Sequence, residues 1–177
     1  MPAWRKRPVS VWLTAAEPPP LRFLDEADRT MDSFSKRVLM TAYRLFNGDF
    51  SSLDSRDTGA VISSASGPLS SIREIAGLLR NEDHCRINPS FFPNIMLSTA
   101  LSHLTRVAGI HGPSSCFLEK DPAGKNAMQY ASVQLATGNC GGMLYIRVED
   151  DGWNEGRYLT SGRGASAPRA QDRGVIG

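Results

Sequence analysis

Two periodicities divide the chain. Val9, Val11 and Leu13 alternate with Ser10, Trp12 and Thr14, the period-two pattern of a strand. The Glu17-Pro18-Pro19-Pro20 run ends it, because proline brings no amide hydrogen to a ladder. From Asp32 to Asn47 the period becomes helical, with Phe34, Val38, Ala42 and Leu45 on one stripe and Asn47-Gly48 as the stop signal. Thr58 to Ser64, centred on Val61-Ile62, reads as a short buried strand. Gly67-Pro68 opens a second helix with the stripe Leu69, Ile72, Ile75, Ala76 and Leu79. The Asn88 to Asn94 connection carries two prolines and Phe91-Phe92, and is expected to plug its aromatics into the core.

A third helix carries Leu97, Leu101, Leu104 and Ala108 on one face and ends at Gly109. Ser115 to Glu119 predicts a strand, Pro122 to Thr137 a fourth helix, and Gly141 to Glu149 a final strand. Strands alternating with helices favour a layered α/β domain with a mixed, mostly parallel sheet. After Gly152 the composition turns to glycine, arginine and serine without periodicity. The expected organisation is therefore one domain over residues 1–152 and a flexible, disordered tail over 153–177.

Composition narrows the function classes. The 177 residues hold 20 Lys+Arg against 18 Asp+Glu, a formal charge of +2, so no strong footprint for nucleic acid or an anionic membrane is present. No apolar run approaches a membrane span, and the Arg5-Lys6-Arg7 run is short. Three cysteines, Cys85, Cys116 and Cys140, form neither a disulfide framework nor a zinc-type spacing, and nothing resembles a signal peptide. The expectation is a soluble cytoplasmic protein without a metal or other cofactor. Gly138 to Gly142 precedes a strand rather than opening a helix, so it reads as a turn and not a phosphate loop.

Four stretches together resemble the N-terminal half of β-ketoacyl synthases. They are Met31-Asp32-Ser33-Phe34-Ser35, then Asp57-Thr58-Gly59-Ala60-Val61-Ile62 leading to Gly67-Pro68-Leu69, then Asn88-Pro89-Ser90-Phe91-Phe92-Pro93-Asn94, and last Ala108-Gly109-Ile110-His111-Gly112-Pro113. The likeness runs from about residue 31 to about residue 150. It implies one half of a thiolase-like fold, in which two similar α/β halves pack around shared central helices. In such enzymes a cysteine opens the central helix, whose N-terminus favours the thiolate that attacks an acyl thioester.

Counting from Gly112-Pro113, that position falls on Asp121, in Glu119-Lys120-Asp121-Pro122-Ala123-Gly124. A carboxylate is a poor nucleophile toward a thioester, because the product anhydride is less stable than the starting thioester. Asp is instead a favoured N-cap and Pro a favoured first helical residue, so Asp121 reads first as a cap worth about 1 kcal/mol over alanine. Cys116, inside the expected strand and ahead of the helix, reads as structural. None of His84, His103 and His111 matches the histidines that the resemblance places in a C-terminal half, and the chain ends before such a half would begin.

The resemblance implies a non-catalytic accessory subunit, similar to chain-length factors. It would pair with a full-length ketosynthase or form a homodimer, and an acyl carrier protein is a further expected partner. Phe91, Phe92 and Met96 would line or abut an acyl pocket, against the plainer reading that they fill core. Met143-Leu144-Tyr145-Ile146-Arg147-Val148 would lie at the dimer edge. Two other readings stay open: altered chemistry with Asp121 as acid or base on a carrier-bound substrate, and an inactive truncated relic.

Overall fold

A computed structural model describes Val11–Trp12 and residues 31–80, 88–149, 152 and 154–161. The expected Val9 and Leu13 ends of the first strand, the triple-proline run, Arg5-Lys6-Arg7, His84-Cys85 and residues 162–177 lie outside the described residues. Within them the order is β1 (Val11–Trp12), α1 (Ser33–Leu45), β2 (Thr58–Ser64), α2 (Leu69–Arg80), a 3-10 helix (Pro89–Ile95), α3 (Leu97–Ala108), β3 (Ser114–Leu118), α4 (Lys125–Thr137), β4 (Gly142–Val148) and β5 (Asn154–Thr160).

The five strands form one sheet in the order β1-β5-β4-β2-β3. β2 pairs in parallel with both β3 and β4, while β5 is antiparallel to β4 and to β1. The expected α/β class with a mixed, mostly parallel sheet is what the chain adopts. β2 and β4 are buried along their whole lengths, so their central residues, Ala60-Val61-Ile62 and Met143 to Ile146, are apolar on both faces. Their alternate side chains serve two cores. Ala60, Ile62, Leu144, Ile146 and Val148 face α1 and α3, whereas Val61, Met143 and Tyr145 face Ala127, Ala131 and Leu135 of α4.

Local chemistry fixes the element ends. The Asp32 carboxylate caps α1 by accepting from the Ser35 amide at 3.0 Å. Gly109 closes α3 in the left-handed conformation at φ 65°. Gly112 is required by proximity: a Cβ there would stand 2.6 Å from the Thr58 carbonyl carbon and 2.9 Å from the Gly59 nitrogen, both backbone atoms. This is where the chain swings in to lay β3 beside β2, and the Gly112 amide donates to the Thr58 carbonyl at 3.0 Å.

Five expectations need correction. Phe91 and Phe92 do not plug into the core; they are 42% and 45% exposed on the 3-10 helix, whose side chains radiate too quickly for two neighbours to face inward. The stripe of α2 is not buried either, and the helix has no buried residue. α4 begins at Lys125, three residues after Pro122, with Gly124 as its N-cap. β4 is central, and the edges of the sheet among the described residues are β1 and β3.

Finally, residues 154–160 are not tail but strand β5, the antiparallel return of β4. Its polar sequence hides this role because Glu155 and Arg157 neutralise one another on the α4 face. Gly156 and Tyr158 turn to the other side, where Gly156 leaves room for Thr41 and Ile146.

Candidate functional site

The carboxyl ends of β2, β3 and β4 converge under the N-terminus of α4. In open parallel sheets that end is where ligands bind, because loops and helix N-termini meet there. Here it is filled by the protein's own charged side chains.

Glu119, the first residue after β3, is buried. Its carboxylate accepts from the Asn126 amide at 2.8 Å, the Ala127 amide at 3.2 Å and the Ser63 hydroxyl at 2.9 Å. Asn126 and Ala127 lie in the first turn of α4, where amides have no partner within the helix. Gly124 offers no side-chain cap, so Glu119 supplies one from five residues upstream and places its negative charge at the positive end of the helix dipole.

Arg147, at the end of β4, is 3% exposed. Its Nε donates to Glu149 at 2.9 Å and its Nη2 lies 2.8 Å from the same oxygen. Its Nη1 donates to the Asp121 carbonyl. Glu149 also accepts from the Ala65 amide at 2.8 Å and the Ser64 hydroxyl at 3.3 Å, and Ser64 in turn accepts from the Gly67 amide at 2.8 Å. One guanidinium–carboxylate pair thus ties three loops together: β2–α2, β3–α4 and the one leaving β4. Tyr145 rises beneath the same loop. A Cβ on Gly124, which sits at φ 60°, would lie 3.1 Å from the Tyr145 Cζ and closer still to its hydroxyl. Burial pushes the phenol of Tyr145 up, and Glu155 adds to that shift.

Asp121 is exposed and stands outside α4. Its carboxylate accepts from the Ala123 amide at 2.8 Å, closing a local turn rather than capping the helix. The cap expected of Asp121 therefore belongs to Glu119. The sequence reading missed Glu119, Arg147, Glu149, Ser63 and Ser64. Arg147 was the available signal, a lone charge inside the apolar run Met143 to Val148.

The other expected residues are scattered. His111 is exposed, and its backbone amide donates to the Ser55 carbonyl at 2.9 Å. His103 lies on α3 with Nδ1 3.2 Å from Arg106 Nη2; burial first, then the Arg106 charge, lowers its pKa. Phe92 and Met96 are exposed on the surface, and Phe91 lines a cleft between α1, α2 and the 3-10 helix that neither of them joins. Among the described residues no His, Cys, Asp and Glu cluster fits a metal ion, and no helix is long and apolar enough to cross a membrane.

Cys116 points into the α1/α3 core, and burial raises its thiol to about 11. A thiol is reactive as thiolate, so the folded protein holds almost none at neutral pH. Iodoacetamide labelling at pH 7.5, resolved by peptide mass spectrometry, should modify Cys116 about a hundredfold more slowly in the folded protein than in denaturant. Equal rates in the two states would refute its placement in the core.

No protein-family model matches the sequence, and no curated protein matches it. Solved structures define the class by shape: the chain has a ketosynthase-like α/β fold. One match is a chain of AntDE:AntF, described as a type II polyketide synthase acyl-carrier protein in complex with its ketosynthase bound to the hexaketide. Its TM-score is 0.63 at 18% identity, over 77% of this chain and 49% of that one. A second is from the complex of the ketosynthase ApeO with its chain length factor ApeC from Xenorhabdus doucetiae, with TM-score 0.61, 17% identity and coverage of 85% and 65%. A third is a beta-ketoacyl synthase from Burkholderia phymatum, with TM-score 0.57, 18% identity and coverage of 75% and 33%. The chain thus spans about half the length of the first of these, 49%.

Proposed function

We propose that this chain is a non-catalytic, ketosynthase-like accessory subunit, similar in role to a chain-length factor, that pairs with an active ketosynthase in polyketide, aryl-polyene or fatty-acid type assembly. The observation that carries this reading is Glu119. An acyl-transfer site of this kind needs the free N-terminus of the central helix to stabilise a thiolate. Here that end already receives a buried carboxylate at Asn126 and Ala127, and Asp121 faces solvent outside the helix. The solved structures it matches include a ketosynthase with its chain length factor and one with an acyl-carrier protein, which supports a partner of the same class.

The edge strand β3 is the surface on which we place that partner. The Glu119 amide donates to the Ser64 carbonyl and the Pro113 carbonyl accepts from the Ala60 amide. By strand alternation, Ser114, Cys116 and Leu118 turn their own amides and carbonyls to the open side. Leu118, 69% exposed, stands at the end of that edge. An edge that pairs with no further strand among the described residues, and carries an exposed apolar residue, invites strand addition.

Co-expression with a full-length ketosynthase, followed by affinity capture and light scattering, tests this. The expected result is a one-to-one complex that Leu118→Lys weakens at least about tenfold, since a lysine on an edge opposes pairing. An acyl adduct on this chain after incubation with acyl-carrier thioester, lost in Asp121→Asn, would overturn the non-catalytic reading.

A further inference from the structure

α2 has no buried residue, yet its sequence is amphipathic and Ile75 and Leu78 are only half-buried. They do not reach the core because a cleft of about 280 Å³ separates this helix from the start of α1 and the 3-10 helix. Ser71, Glu74, Ile75 and Leu78 form one wall at helical spacing, and Asp32 and Phe91 stand among the residues across from it. The cleft combines apolar surface from Ile75, Leu78 and Phe91 with the carboxylates of Asp32 and Glu74, and neutral polar groups of Ser33, Ser71, Asn88 and Asn94 also line it. Among the described residues that line it there is no Lys, Arg or His.

The two carboxylates differ in what they have left to offer. Asp32 already accepts from the Ser35 amide and, at 3.2 Å, from the Ser71 hydroxyl, which pins α2 to α1. Glu74 makes no ion pair or hydrogen bond with another described residue. An anionic ligand would be repelled by both groups, and a neutral acyl chain would leave Glu74 unused. A cation with an aryl or short alkyl body satisfies both parts of the cleft.

We propose that this cleft binds a small amphiphilic amine, with its ammonium on Glu74 and its apolar body against Ile75, Leu78 and Phe91. The proposal concerns a surface separate from the end of α4 and stands independently of the accessory-subunit reading.

The probe is 2-phenylethylamine, titrated into the full ¹⁵N-labelled chain with 2-phenylethanol and 3-phenylpropionate as controls. The expected result is a Kd on the order of 1 mM for the amine, as suits a ligand of about nine heavy atoms, with shift changes focused on residues 71–78 and 91. The alcohol should bind about tenfold more weakly, because it lacks the charge-assisted bond, and the propionate more weakly still. Glu74 is exposed, so Glu74→Gln should leave the melting temperature in place and abolish the preference for amine over alcohol. Equal binding of amine and alcohol, retention of the preference in Glu74→Gln, shifts centred elsewhere, or no shifts at about ten times that concentration would each overturn it.

Discussion

Arg147→Met is expected to lower the melting temperature by about 10 °C. Breaking a buried ion pair from one side costs about 3–5 kcal/mol, because a charge is left without its partner, and each kcal/mol moves Tm by about 2–4 °C in a chain of this size. The loss reaches beyond Glu149. The same guanidinium holds the Asp121 carbonyl, and the Glu149 carboxylate holds the Ala65 amide, so three loops loosen together. Thermal melting of Arg147→Met, Glu149→Gln and the double variant forms the test. The double variant should recover about 1–3 kcal/mol relative to the sum of the singles, since it leaves no uncompensated charge. Strict additivity would show that the pair does not act as a unit.

Glu119→Ala should cost about 3 kcal/mol. It removes the acceptor of three hydrogen bonds and strands the Ser63 hydroxyl and two helix amides, where each unmatched buried donor costs about 1–3 kcal/mol. Glu119→Gln keeps a carbonyl oxygen and should recover about half of that loss. Hydrogen exchange gives the local readout: the amides of Asn126 and Ala127 should exchange faster in Glu119→Ala while those of β4 stay protected. Asp121→Ala, in contrast, changes an exposed turn and should stay within about 0.5 kcal/mol of the parent. If Asp121→Ala proved the more damaging of the two, the assignment of the cap to Glu119 would fall.

These two residues also mark where the sequence was hard to read. Elements with strict periodicity were legible: Thr58–Ser64 is β2 as expected, and α1 starts beside Asp32 and ends before Asn47-Gly48. α4 misled because local cap chemistry competes with tertiary contacts. Asp121-Pro122 has the composition of a helix start, but the carboxylate that arrives from Glu119 fixes the first turn three residues later. β5 misled for a related reason, since Glu155 and Arg157 read as solvent-facing until each is seen to be the other's counter-ion. The position of β4 at the centre of the sheet depends on that same strand, and a strand hidden in polar sequence makes its neighbour look like an edge. A network such as Ser64–Glu149–Arg147–Asp121 joins residues up to 85 positions apart, which no window along the chain can contain.

The close approach at Gly112 separates what the chain must keep from what it is free to change. Its missing side chain is dictated by the Thr58 and Gly59 backbone pressed against it, a demand of strand docking that is indifferent to what happens at the end of α4. A side chain at Gly112 would have to displace the backbone of β2, whereas Asp121, in an exposed turn, can change without disturbing the sheet.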